Sequence, residues 1–346
     1  MRLRSSATNS TMAPCVISVV GGLNMDMVFE TLRVPDVGES IDGTSLETFP
    51  GGKGANTAIA TYRGSHNKPS GRAGTSRVGN GNTVDIRVFM NGMVGNDEFG
   101  RQLKARLEEN GIDVSGVLLS EGERSGTCVV MVESGTGESR NLAYQGANLK
   151  WKPRIPRSVT CLANGEKPDL VVAHLGIPRE QVEKVLSTAT SKGVDTLLNP
   201  SPALHLVSST FKNLTHLIMN ESEAAELTSR DLGELDNLAA WQSAAKHFLD
   251  LGVKNVVITL GAKGAYYATN NGDDGVVDAV KNVKVRDATG AGDTFVGNYS
   301  IEYITQKHEG TWDIVKAIDR ACKASAKTIE RFGAQEAIPW ADETDA

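Results

Sequence analysis

The chain of 346 residues lacks any apolar run approaching the roughly 18 residues that a bilayer-spanning helix needs. It has only four cysteines, Cys15, Cys128, Cys161 and Cys322, far apart and with no C-x-x-C pair. That spacing excludes a zinc module and a disulfide framework, and points to reduced thiols in a cytoplasmic protein. The six histidines form no H-E-x-x-H or clustered metal pattern. No stretch fits G-x-G-x-x-G in a β-α-β unit, which disfavours a dinucleotide enzyme. Positive charge is not in excess either. Lysine and arginine number 36 against 42 aspartates and glutamates, for a net charge of −6. A general nucleic-acid or acidic-membrane binder is therefore not indicated. Any phosphate the protein binds must meet a local cluster of donors.

What is present is ordinary globular composition, 40% hydrophobic and 23% charged. Short β-branched apolar runs occur at Val16–Val20, Asp85–Met93, Asp169–Leu175, Thr196–Leu198, His216–Met219 and Asn255–Leu260. Helical patterns lie between them, at Asn56–Arg63, Glu98–Asn110, Arg179–Lys192, Glu221–Leu227 and Leu238–Leu251. Strands alternating with helices predict a mostly parallel sheet covered on both faces. Two regions break the rhythm. Residues 25–49 and 125–145 read as strands and turns without helices, a small separate sheet able to serve as a lid. Residues 1–14 are basic and Ser/Thr-rich, faintly like a transit peptide, but read as a disordered extension. Gly64–Thr83 reads as a surface insertion, without aromatics for stacking on bases. Residues 15–340 are expected to form one domain.

Three glycine-rich segments could carry chemistry. Asp287-Ala288-Thr289-Gly290-Ala291-Gly292-Asp293 follows a β-like run, Val283–Val285, and opens a helical pattern through Glu302. A glycine turn at a helix start presents several backbone N–H groups together, in the positive field of the helix dipole. Such a cup suits a migrating phosphoryl group, and Asp293 beside it could accept a proton. Equally, Asp293 could be an ordinary first-turn acid. Gly51-Gly52-Lys53-Gly54-Ala55-Asn56 also runs into a helix and offers donors to hydroxyls, but it is not a Walker A loop. Thr259-Leu260-Gly261-Ala262-Lys263-Gly264 ends a strand and suits either nucleotide contact or a plain turn. Asn220 followed by Glu223 is a capping box, which explains both residues, while a place near the magnesium of ATP is the functional alternative.

Taken together and in order, these segments resemble the ribokinase, or PfkB, family of sugar and nucleoside kinases over about Val16 to Trp340. Gly22-Leu23-Asn24-Met25-Asp26, Val94-Gly95-Asn96-Asp97, Gly146-Ala147-Asn148 and Gly333-Ala334-Gln335 fit as well. The resemblance implies a three-layer α/β/α fold with a small β-sheet lid that often joins a homodimer. It implies that Asn24, Asp26, Gly52, Lys53 and Asn56 hold the sugar. Asn220, Thr259, Gly261, Gly264 and Gly292 would approach ATP, and Glu223 would act indirectly on Mg2+. The amides of Gly290, Ala291 and Gly292 would form an anion hole, with Asp293 as the base acting on the 5-hydroxyl of D-ribose. A K+ ion would sit behind that hole, near Asp287, Thr289, Thr328, Arg331, Gly333 and Ala337.

One departure bears on substrate choice. Ribokinases usually place a sugar-binding glutamate in a Leu-Glu-x-Pro context, and here the run is His174-Leu175-Gly176-Ile177-Pro178. Loss of a charged hydrogen bond costs about 1.5–3 kcal/mol. The expectation is that His174, on the same side of the strand, or water partly takes its place; the alternative is an ordinary buried histidine. The leading reading is a D-ribose kinase. Another pentose, deoxyribose or a nucleoside is the runner-up, and a sugar-binding regulator without turnover is the reading from another class. Ala288, where the family usually has Thr, Pro or another small residue, is expected to matter little.

Overall fold

The computed structural model describes residues 13–69, 84–134 and 139–344. It opens with β1 (Cys15–Val20), then β2 (Asn24–Thr31), β3 (Ser45–Gly51), α1 (Lys53–Ser65), β4 (Ile86–Gly95), α2 (Glu98–Glu109) and β5 (Asp113–Ser120). Next come β6 (Gly126–Glu133), β7 (Ser139–Tyr144), β8 (Leu170–His174), α3 (Arg179–Ser191), β9 (Asp195–Asn199), β10 (His216–Asn220) and α4 (Glu221–Thr228). The last part holds α5 (Leu238–Asp250), β11 (Asn255–Thr259), β12 (Ala265–Thr269), β13 (Asp274–Val277), α6 (Ala291–His308), α7 (Ile314–Ile329), α8 (Ala334–Ala337) and α9 (Ala341–Thr344).

Nine strands form the central sheet, in the order β13-β12-β11-β10-β9-β8-β1-β4-β5. All neighbours run parallel except the β11–β12 and β12–β13 pairs. Burial on both faces explains the apolar strands. In β8, Leu170 and Val172 join one core while Val171 and Ala173 join the other. The first core takes Ile59 of α1, Leu103 of α2, Phe295 of α6 and Ile318 of α7. The second takes Val182 of α3, Ala224 of α4 and Phe248 of α5. That is the expected three-layer arrangement.

The second sheet has the order β3-β2-β6-β7, with β2 and β6 parallel and the outer pairs antiparallel. It corresponds to the small separate sheet read from the sequence. Asp97 ties it to the body. This residue caps α2 by accepting from Gly100 N, and it also accepts from Ser125 N at 2.8 Å and Ser125 Oγ at 2.6 Å. β6 and β7 pair antiparallel as a hairpin, whose tip, residues 135–138, lies outside the described residues.

Several local expectations differ. Val283–Val285 is not a strand; the central sheet ends at β13, and Val285 is 66% exposed. Helix α6 runs on to His308, and β5, β12, β13 and α7 were not anticipated. The surface insertion does not begin at Gly64, which is buried inside α1 and whose carbonyl accepts from Arg320. Most of that insertion, 70–83, and residues 1–12 of the extension lie outside the described residues. No helix among the described residues is long and apolar enough to cross a membrane.

Candidate functional site

From β1 the chain moves through β4 to β5 on one side, whereas β8 lies on the other side of β1 and leads to β9 and β10. The carboxyl ends of β1 and β8 therefore flank a topological switch point, where open α/β sheets bind ligands. β1 ends at Val20 and is followed by Gly21-Gly22. A Cβ on Gly21 would stand 2.9 Å from Gly54 Cα, so the start of α1 presses against the end of β1. Gly52, at φ +93°, makes the turn into α1.

Around this junction the structure gathers most of the predicted sugar residues. Asn24 opens β2, and its Oδ1 accepts from Asn148 Nδ2 at 2.8 Å. Asn148 is itself fixed by the backbone N–H and carbonyl of Leu23, both at 3.0 Å. Asp26 lies over Gly51, where a Cβ would meet its Oδ2. Lys53 is exposed at the first position of α1. Asn56, one turn further, is buried and donates from Nδ2 to Asp293 Oδ2 at 2.8 Å. The two residues are 237 positions apart, and this bond joins the start of α1 to the start of α6.

Burial pushes the Asp293 carboxyl up, against the opposing pull of Lys53 and the Asn56 bond. Burial, with the like charge of Asp293, pushes Asp26 up to about 6. An ionised carboxylate accepts from a hydroxyl more strongly than a protonated one, so Asp26, if it holds the sugar, would do so best when charged. Sugar affinity is therefore expected to fall as pH drops through about 6. A pH profile of kcat/KM for the sugar checks this, read against Asp26→Asn. In that variant the part of the acid limb that Asp26 contributes should be lost, leaving only what other groups give. An unmoved limb would exclude Asp26 as its source. Folding has the opposite sign: a carboxyl raised above its unfolded value makes the fold less stable as pH rises through that window.

The glycine turn sits at the head of α6. Gly290 is its N-cap at φ +78°, followed by Ala291 and Gly292. No side chain caps this end, and a Cβ on Gly292 would meet nothing within 4 Å. The Ala291 amide donates to the Ala288 carbonyl at 3.3 Å, a long bond, while no side chain competes for the other amides at this helix end beside Asp293.

Gly292 also lines a cavity of about 520 Å³ with Asn220, Thr259 and Gly261, three of the predicted ATP residues. Glu221, Ser222, Asp236 and Lys263 line it too, and sequence reasoning gave none of them a role. The Lys263 ammonium stands 5.4 Å from the centre of the Trp241 ring. Gly264 does not line the cavity. At φ +98° it packs on the backbone of Val277, where a Cβ would collide with the carbonyl. Glu223 is buried in the capping box, donor and acceptor bonds to Asn220 both being formed. A larger groove of about 780 Å³, between the second sheet and the start of α2, is lined by Met27, Phe99, Arg124 and Tyr144 and contains no predicted site residue.

The predicted K+ residues cluster in part. Asp287 accepts from Thr289 N and from Gly333 N, both at 2.9 Å, and these bonds hold its carboxyl below the usual range. Thr328 is buried, and its hydroxyl bonds to Thr294 and to the Ala324 carbonyl. The Arg331 side chain turns away to Glu343. Ala337 ends α8 and is buried. Among the described residues no group of three His, Cys, Asp or Glu could hold a metal ion.

His174 does not take the place of a carboxylate. It is fully buried, its Nδ1 is 3.1 Å from Asn199 Oδ1, and its Nε2 has no partner among the described residues. Burial, with the charge of Lys53 added, holds its pKa down at about 3, so it stays neutral. Gly176 lies against Gly22. A Cβ at 176 would come within 3.3 Å of Gly22 N, so a side chain there needs the backbone to give slightly.

Fold and cleft together define a class. The model of the pfkB family carbohydrate kinases matches residues 16–341, and the chain belongs to that family as an ATP-dependent carbohydrate kinase. Among individual proteins it is similar to ribokinases. It is 36% identical to the ribokinase of Schizosaccharomyces pombe, over 95% of this chain and 96% of that one. The structure of the Thermotoga maritima ribokinase matches 96% of this chain and 98% of its own, with 29% identity and a TM-score of 0.77. The Arabidopsis thaliana ribokinase, solved with ribose and ATP, shares the fold at a TM-score of 0.81 over 96% and 98%, with 24% identity.

Proposed function

We propose that this kinase transfers the γ-phosphoryl group of ATP to the 5-hydroxyl of D-ribose, giving D-ribose 5-phosphate. One observation carries the reading. A buried carboxylate, Asp293, stands at the glycine-lined head of α6, bonded to Asn56 of α1 and next to Gly292, which lines the cavity with Asn220, Thr259 and Gly261. In this reading Asn24, Asp26, Gly52, Lys53 and Asn56 orient the sugar. Asp293 takes the hydroxyl proton as the oxygen attacks phosphorus in line. The amides of Gly290, Ala291 and Gly292 hold the charge that develops on the phosphoryl oxygens. The second sheet closes as a lid and keeps water out.

Mg2+ bound with ATP would neutralise phosphate charge, with Asn220 and Glu223 nearest to it on the protein side, the latter through water. The carbonyls around Asp287, Thr289 and Gly333 suit K+ as an activator that supports the glycine turn. A cytoplasmic homodimer joined through the second sheet completes the proposal. Leu46, Leu142 and Tyr144 of that sheet are each more than half exposed, which supports a partner there.

The test is a coupled ADP-release assay across ribose, deoxyribose, other pentoses and nucleosides. D-ribose is expected to give the highest kcat/KM. A higher value for another substrate would move the assignment within the family, and Gly176 is where the cause would be sought. Sugar binding without ADP release would support the regulator reading.

A further inference from the structure

Asn56 is not free to choose how it faces Asp293. An ionised carboxylate only accepts hydrogen bonds, whereas a primary amide has a donor end and an acceptor end. With Nδ2 donating to Asp293 Oδ2, Asn56 must turn Oδ1 away, and that buried oxygen needs a donor of its own. Gln335 supplies it: its Nε2 donates to Asn56 Oδ1 at 3.1 Å. Asn56, Asp293 and Gln335 are 5%, 6% and 1% exposed, so water cannot stand in for either bond.

Gln335 belongs to α8, which has only four residues and could not hold a side chain in place alone. A buried cation anchors it. Arg63 Nη1 donates to the carbonyls of Gln335, at 2.6 Å, and Ile338, at 3.1 Å, while Nε donates to Asn110 Oδ1 at 2.8 Å. The Trp340 ring lies 5.3 Å from the guanidinium. Arg63 follows Asn56 by seven residues, about two turns, so both project from one side of α1. Gln335 Oε1 has no partner among the described residues, so the side chain's hydrogen bonding here is the one donor bond.

We infer that Gln335 is a positioning residue for phosphoryl transfer: its amide locks Asn56 in the orientation that donates to Asp293, and Arg63 holds the segment that carries it. The inference rests on the reading of Asp293 as the base.

Two variants of nearly the same shape test it. Gln335→Met removes the donor alone, and about a 10- to 100-fold loss of kcat/KM is expected, the size of one hydrogen bond to a group serving a charge. Gln335→Glu should be worse. At a pH where it is ionised, a carboxylate at 335 can only accept, so it draws Asn56 Nδ2 to itself and turns Oδ1 onto Asp293. Asn56 donation, lost here, lowers the Asp293 pKa, and a carboxylate at 335 adds like charge, so both move the acid limb to higher pH in Gln335→Glu, while the uncharged Gln335→Met shows the part that belongs to Asn56. Lys53 and Asp26, the other charged groups facing Asp293, are untouched by either change. Thermal melting of both variants checks that they fold. In an Asn56→Ala background, Gln335→Met should add little, because Gln335 acts through Asn56. Equal losses in the Met and Glu variants, losses that multiply on Asn56→Ala, or losses repaired by added K+ would each overturn the inference. Asp293→Asn is measured alongside. If it retains turnover, the base reading fails. If it is inactive while the Gln335 losses simply multiply, only the positioning role fails.

Discussion

Asp293→Asn is expected to lower kcat by roughly 10²–10⁴-fold, the usual contribution of a placed base, with little change in KM for the sugar. The substitution keeps the shape and can still accept the Asn56 donor. What it removes is the ability to take a proton. The site gives the native carboxylate a reason to be a better base than an exposed one, since burial raises its pKa while Lys53 and Asn56 keep the ionised form accessible. Steady-state kinetics with ADP detection measures the effect, and sugar binding by calorimetry separates chemistry from recognition. A kcat close to wild type would remove Asp293 from the mechanism. Loss of binding and turnover together would make it a structural or binding group.

Gly52→Ala should have the next largest effect. An added Cβ would lie 2.6 Å from Asn24 N, 2.7 Å from Gly22 O and 2.8 Å from Leu23 Cα. All three are backbone atoms and cannot rotate away. The position also has φ +93° and ψ 130°, a region open essentially to glycine, where an L-residue is strained by roughly 1–3 kcal/mol. Relief must move the head of α1 away from β2, separating Lys53 and Asn56 from Asn24 and Asp26. A shift of this kind can cost about 100-fold in rate, and kcat/KM should fall by that order, with a lower Tm. Normal activity in Gly52→Ala would mean that β2 and α1 do not have to meet this closely.

How legible the molecule is from its sequence depends on where each element is buried. β1, β4, β8, β10 and β11 are covered on both faces, and their runs of valine, isoleucine and leucine announce them. β12 and β13 lie at an antiparallel edge with alanine, tyrosine and glycine, so no such run marks them. The buried side of α7 is Ile314, Ala317, Ile318, Ala321, Ala324 and Thr328, at helical spacing but built mostly of small residues. Val283–Val285 shows the converse error, since valines spaced like a strand have no sheet edge to join.

In the cleft, the two glycine turns before α1 and α6 were legible because the backbone geometry demands glycine. The Asn56–Asp293 bond was not, since it spans 237 positions and nothing local marks the pair. Buried Arg63 was hidden for a related reason: a charge inside the protein is read as surface until its partners, here carbonyls of the 335–338 segment, are seen. His174 went the other way. Alternation along the strand pointed it toward the sugar side, and packing against Gly21 sealed it in.

The central claim is spatial, and one structure of the protein with D-ribose and a non-hydrolysable ATP analogue tests it directly. The account expects the ribose 5-oxygen within hydrogen-bond reach of the Asp293 carboxylate, and the terminal phosphate facing the amides of residues 290–292. A ribose bound with its 5-oxygen remote from Asp293, or a phosphate held away from the head of α6, would contradict it.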